Sequence, residues 1–348
     1  MKDLLHSHHP VRIFLISAII TIFALIFVGV ELGPSALFIA AVLILVEVTF
    51  SFDNAIINAK VLASMSKFWQ TLFMTVGIFI AVFGMRLVFP IVIVMITAGL
   101  SAPEVLTLAT QSPEEYSKHL DNSHVAIASF GGMFLLMLCL HFFFDSKKDI
   151  HWIDIVERPL QRMGKWWTYS FVSLVVLFTI VLLPFNKHPE EVLVPGIAGV
   201  ITYLIVHGLA DLFTRKQEQS SGKKAVVKTG VAGFMSFLYL EVLDASFSFD
   251  SVIGAFAITK DVVLIAIGLG IGALWVRSLT LFMVRKRVLH AYRYLEHGAH
   301  YTIGLLAGIL LLSVFVHIPE AVAGVTGLAI IGLSIWSSVQ ASKVSQAS

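Results

Sequence analysis

Ten long apolar stretches leave this chain little choice of fold. They fall at about 11–30, 35–62, 70–98, 124–144, 167–184, 193–213, 229–258, 261–284, 299–316 and 319–337. A bilayer core of about 30 Å takes roughly 20 apolar residues of helix to cross, and a backbone inside it must satisfy its own hydrogen bonds. The expected fold is therefore all-α: a polytopic membrane protein of about ten transmembrane helices. Composition agrees, with 57% hydrophobic and only 13% charged residues, where a soluble domain carries about 25% charged. The second, third and seventh stretches are long enough to tilt, kink or break, and Pro90 predicts a kink in the third.

The first apolar run is long for a signal-peptide core and shows no small-x-small cleavage site, so it reads as a retained transmembrane helix. His6, His8 and His9 before it read as an inert tract. The lone Cys139 excludes an internal disulfide and a multi-cysteine metal site.

Lys and Arg cluster in 145–166, in 214–228 and just after the eighth stretch, whereas 99–123 is acidic. With ten spans, positive charge on the cytoplasmic side puts both termini in the cytoplasm. That orientation accounts for the basic loops, and no nucleic-acid partner is implied. The Pro-punctuated segment 103–120 predicts short external helices. The polar tail 338–348 predicts disorder.

Inside the apolar stretches sits a duplicated acidic motif. Residues 47–54 read EVTFSFDN and residues 244–251 read DASFSFDS, which aligns Glu47 with Asp244, Ser51 with Ser248, and Asp53 with Asp250. A carboxylate in such surroundings is costly unless it is paired, protonated or bound to a cation. The duplication extends further. GIFIAVFGMR, ending at Arg86, matches GLGIGALWVR, ending at Arg277, and 119–136 echoes 294–311. Spans two to four thus correspond to spans seven to nine. An offset of five spans inverts one half relative to the other, as in many transporters with a mid-membrane site at the repeat interface. The halves are 1–165, with core 35–145, and 166–337, with core 229–316.

At about 100° per residue, Glu47, Ser51, Asn54 and Asn58 share one helical stripe, and Asp53 lies roughly opposite. A regular helix cannot aim both acids of a motif at one ion, so local unwinding is expected in at least one copy. The donors are carboxylates, hydroxyls and amides, a set suited to hard divalent cations such as Mn²⁺, Mg²⁺ and Ca²⁺. Exchange against protons is the natural coupling. Arg86 and Arg277 are the expected counter-charges, and Glu241, one turn before Asp244, is a further candidate. His207 and Asp211 share a face at the end of span six and read as interfacial. His124 and His300, at span ends, are expected to face water. No HExxH, GxSxG or comparable nucleophile arrangement appears, so neither an enzyme nor a fixed cofactor is expected.

The two motifs, with FSFDN in the first half and EVLDASFSFDSV in the second, and the later run RYLEHGAHYTIGLLAGILLL, resemble the TerC family. They also resemble a neighbouring bacterial branch of the LysE transporter superfamily. The resemblance covers roughly 35–145 and 229–316. It implies a bacterial inner-membrane protein linked to tellurium resistance and manganese export, with an ion site at Glu47, Asp53, Asn54, Asp244, Asp250 and Ser251. The motif hydroxyls Ser51 and Ser248 are additional candidate ligands. The sequence departs from the family at Ile253-Gly254, where many members have Pro-Ala. The wider superfamily would also admit amino-acid or small organic solute export. A non-transporting scaffold acting in metal stress is the third expectation.

Overall fold

A computed structural model describes residues 10–165, 167–184, 186–221, 227–316 and 318–347, without the side chains of residues 10, 12, 249, 250, 257, 320 and 344–347. The tract with His6, His8 and His9 lies outside the described residues, as does the side chain of Asp250.

The chain opens with α1 (Pro10–Glu31), which reverses through Gly33, a glycine at φ 87°. Pro34 then begins α2 (Pro34–Phe50), at a position where a missing N–H costs nothing. The next helix, α3 (Phe52–Ala63), leaves α2 at 53°. A single span follows, made of α4 (Lys67–Phe79), a π-helical stretch (Ile80–Val88) and α5 (Phe89–Ala98). Pro90 lacks an N–H and its ring crowds the carbonyl four residues back. Widening of the preceding turns relieves this, so the expected kink takes the form of a π-helix.

The two short helices expected near 103–120 are α6 (Ala102–Gln111) and α7 (Pro113–Asn122). The backbone N–H and hydroxyl of Ser101 donate to Glu104 at 2.8 and 2.6 Å, holding that carboxyl below its ordinary value. Next come α8 (His124–Phe143), α9 (Asp154–Arg162), α10 (Thr168–Leu182) and α11 (Pro189–Ser221). The chain ends with α12 (Gly230–Ile258), α13 (Val262–Lys286), α14 (Val288–Ala291), α15 (Leu295–Ser313) and α16 (Glu320–Ala347).

Among the described residues, eight helical segments are long and apolar enough to cross a membrane, and the bent α2–α3 pair makes nine. The expectation of ten was one too many on this measure. The fifth stretch forms α10, which has 15 residues. It stops at Leu183, whose extended backbone suits the residue before a proline. The tail also differs from expectation, since 338–347 continues α16 as helix. No Gly or Pro interrupts it, and Ser338 accepts the Tyr294 N–H at 2.8 Å.

The helices form two compact units. These are not the sequence halves, because each takes helices from both. The first comprises α1–α7 with α12 and α13. Within it α13 packs on α1, α2, α3 and the π-helical stretch. Gly268 and Gly272 make the contact with α2 close: a Cβ there would sit 2.6 Å from Leu43 Cβ and 2.5 Å from Glu47 Cβ. Small residues four apart are a common route to tight packing in lipid, where burial alone gives no drive. Trp275 donates to Thr21 at 2.8 Å, and Ser17 meets Ser278 at 2.7 Å, which ties α1 to α13.

The second unit comprises α8–α11 and α14–α16, with α15 packed on α8 and α16. Glu157 is fully buried and anchors the segment after α8. It accepts from Lys148 at 2.7 Å and from the N–H groups of Trp152 and Ile153, and His297 lies 3.3 Å away. His300, expected to face water, is buried and stacks on Phe142 with ring centroids 3.7 Å apart. His124 meets Ser313 at 3.0 Å. His207 packs against His141 and Tyr203, and Asp211 pairs with Arg215 at 2.7 Å.

Candidate functional site

The acidic motifs meet inside the first unit. The first motif is carried by two helices, because the break between α2 and α3 falls at Ser51. Glu47 thus sits on the last turns of α2, while Asp53, Asn54 and Asn58 belong to α3. The expected unwinding occurs in this copy. The second copy is uninterrupted within α12.

Glu47 and Asp244 each pair with the arginine of their own half. Arg86, in the π-helical stretch, donates from Nη2 to Glu47 Oε1, which also accepts from the Ser51 hydroxyl at 3.1 Å. Its Nη1 bonds the Ala81 carbonyl at 3.0 Å. Arg277 is held more firmly. Its Nη2 donates to Asp244 Oδ2 at 2.6 Å, its two Nη atoms reach Glu241 at 3.1–3.2 Å, and Nη1 bonds the Phe73 carbonyl at 3.0 Å. The Phe73 ring lies 3.9 Å beneath the guanidinium. Gly77 makes room for this group, since a Cβ there would collide with Arg277 Nη1. Both arginines thus act as the counter-charges expected of them, and Glu241 joins through Arg277.

Asp244 links the copies. Asn54 and Asn58, one turn apart on α3, donate Nδ2 to its Oδ1 at 2.9 and 2.6 Å. The carboxylate fixes the orientation of both amides, because a flipped amide would set oxygen against oxygen. Their Oδ1 atoms are left without a partner. So are Glu47 Oε2 and Ser248 Oγ, all four being buried.

These four residues, with Ser51, Arg86, Asp244 and Arg277, line a cavity of about 20 Å³. A water needs roughly 10–15 Å³ of such space, so the cavity holds one water or one bare cation. Buried polar atoms without partners are uncommon, and each asks for an explanation. The residues around this small cavity offer oxygen donors, the kind a hard cation takes.

The structure does not gather every residue the sequence nominated. Asp53 is buried but is not in the cavity wall; it accepts the Asn54 N–H at 2.8 Å, as an acid in a first helical turn does. Ser251 is half-buried and also lies outside the wall. Asn58 was not among the nominated ligands, though it shares the stripe of Glu47, Ser51 and Asn54. Among the described residues, no three His, Cys, Asp or Glu side chains converge as a metal-binding group. Arg277 lies between Glu241 and Asp244, and the remaining oxygen donors are the Glu47 carboxylate, amides and hydroxyls.

A family model described as "Protein of unknown function (DUF475)" matches residues 52–345. No curated protein and no solved structure matches the chain, so the likeness to TerC rests on its motifs.

Proposed function

The chain belongs to the DUF475 family of membrane proteins, and we propose that it is a secondary transporter exporting a divalent metal cation, Mn²⁺ first among them. The cation passes through the buried cluster of Glu47, Ser51, Asn54, Asn58, Asp244 and Ser248, in exchange for protons. The observation that carries this reading is the set of four unpartnered buried oxygens on residues that line a cavity the size of one ion. An all-oxygen set favours hard cations over soft ones. Manganese comes from the TerC resemblance.

The broken span between α2 and α3 supports transport as well. Interrupted helices beside an ion site are a recurring build of carriers, and the paired pattern Glu47–Arg86 and Asp244–Arg277 fits duplicated, inverted halves. In this reading α10 completes ten spans, both termini are cytoplasmic, and the membrane is the bacterial inner membrane. Asp53, buried beside the cluster but outside the cavity wall, serves the path of the ion or the protons. The cavity is far too small for an amino acid, which disfavours organic solute export.

The test is flux in proteoliposomes loaded with Mn²⁺, Mg²⁺, Ca²⁺ or an amino acid, with a pH dye inside. The expected result is Mn²⁺ movement with opposing proton movement, lost in Glu47→Gln and Asp244→Asn. Movement of amino acids alone, or of nothing, overturns the proposal.

A further inference from the structure

The two arginines of the cluster are held very differently. Arg277 is engaged by both Glu241 oxygens, by Asp244 and by the Phe73 carbonyl, and rests on the Phe73 ring. Arg86 has only one carboxylate oxygen and one backbone carbonyl, while the Nε of both arginines is buried without a partner. That carbonyl, on Ala81, belongs to the same π-helical stretch, so it would keep its hold if Arg86 let go of Glu47. Glu47 is likewise half-engaged, with Oε1 taken and Oε2 unpartnered.

Charge decides what this asymmetry does. Counted as ionised, the two ion-paired groups, Glu47 with Arg86 and Glu241 and Asp244 with Arg277, set three carboxylates against two guanidinium groups, which leaves one negative charge in excess. A dication entering with both arginines in place would turn this into one uncompensated positive charge in a buried, low-dielectric site, which is strongly unfavourable. Withdrawal of a single guanidinium restores neutrality. The bonding makes that guanidinium Arg86.

We infer that Arg86 is a tethered counter-cation: it occupies Glu47 in the empty carrier, and a divalent cargo displaces it. This rests on the transport reading and adds to it a reason why the empty site stays neutral enough to return across the membrane. The π-helical stretch suits the task, since a wide turn can tighten by one residue and turn its side chains relative to the cavity.

The test is equilibrium binding of Mn²⁺ alone to the purified full chain in detergent. In Arg86→Gln the competitor is gone, and affinity should rise about tenfold or more, the direction set by removing a nearby like charge. A structural defect would lower it instead. Arg86→Lys keeps the charge and should stay close to the wild type. Should Arg86→Gln fail to elute as a single species, Arg86→Ala purified with methylguanidinium replaces it, and Mn²⁺ should bind tighter once that ion is dialysed away. Equal or weaker binding in a folded charge-removing variant overturns the inference, as does equal tightening in Arg86→Lys. Mn²⁺ binding to Arg86→Gln but not to the wild type supports the counter-cation while telling against Mn²⁺ as the cargo. Binding to neither overturns both.

Discussion

Asp244 holds three donors at once: Arg277 on one oxygen, and the amides of Asn54 and Asn58 on the other. Taking such an ion pair out of water costs several kcal/mol per charge, so it is weak evidence for stability, but removing one partner strands the other. Asp244→Leu should therefore destabilise the protein by about 3–5 kcal/mol, seen as a lower thermal unfolding midpoint in detergent. Glu241→Gln should cost clearly less, because Arg277 keeps Asp244 and the Phe73 carbonyl. Equal losses would mean that Asp244 is not the hub. At this scale the sequence was informative. Aligning the duplicated motifs nominated Glu47, Asp244 and both arginines, and acids so rare inside apolar spans were signal enough. The stripe of Glu47, Ser51, Asn54 and Asn58, with Asp53 opposite, matches the cavity wall; Asp53 was nominated through the family resemblance instead. Asn58 had no counterpart acid to draw attention to it.

Among the elements, the approach of α13 to α2 fixes where Glu47 stands. Gly272→Ala would put a methyl 2.5 Å from Glu47 Cβ and 3.3 Å from the Ile44 carbonyl. It should destabilise by about 1–3 kcal/mol and impair transport together. Gly208→Ala in α11 meets nothing within 4 Å and should be neutral or stabilising by up to about 1 kcal/mol, as Ala is the better helix former. The pair is read by thermal unfolding, and a Gly272→Ala variant as stable as Gly208→Ala would refute the close contact. Pro90→Ala returns an N–H to the helix and removes the reason for the wide turns. A reversion to α-helix changes the register by one residue, about 100° of rotation. Metal tolerance in cells should fall while expression and folding persist. The disturbance at Pro90 was legible beforehand. Where the helix would break was not, because Ser51 lies in an apolar run without Gly or Pro.

For the molecule as a whole, apolar run lengths located nearly every helix, because lipid permits so few alternatives. The grouping into two units was not legible. It depends on which faces pack, and helices surrounded by lipid carry no clear polar side to reveal that. Sidedness is open to a direct check. Cys139 is buried, so the native background of labelling should be low, and single cysteines can be read against it. Ser112→Cys should react with an impermeant maleimide added to whole cells, and Ser220→Cys only after lysis. The reverse pattern would invert the proposed orientation. The segment between α8 and α10 is no loose basic tether either. Buried Glu157 holds Lys148 and two backbone N–H groups, and Arg158 is occupied by Asp154 at 2.9 Å. A scaffold recruiting partners through free cations there would find two of them already engaged.

The elbow at Ser51 has a mechanical meaning. Glu47 rides on one rod, Asn54 and Asn58 on the other, so the proposed cation ligands are assembled across a joint. With about 1.5 Å of rise per residue, Asn58 sits roughly 10 Å along its rod, and a swing of about 10° would carry it close to 2 Å. That is the difference between gripping an ion and letting it leave, achieved without melting a single helical turn.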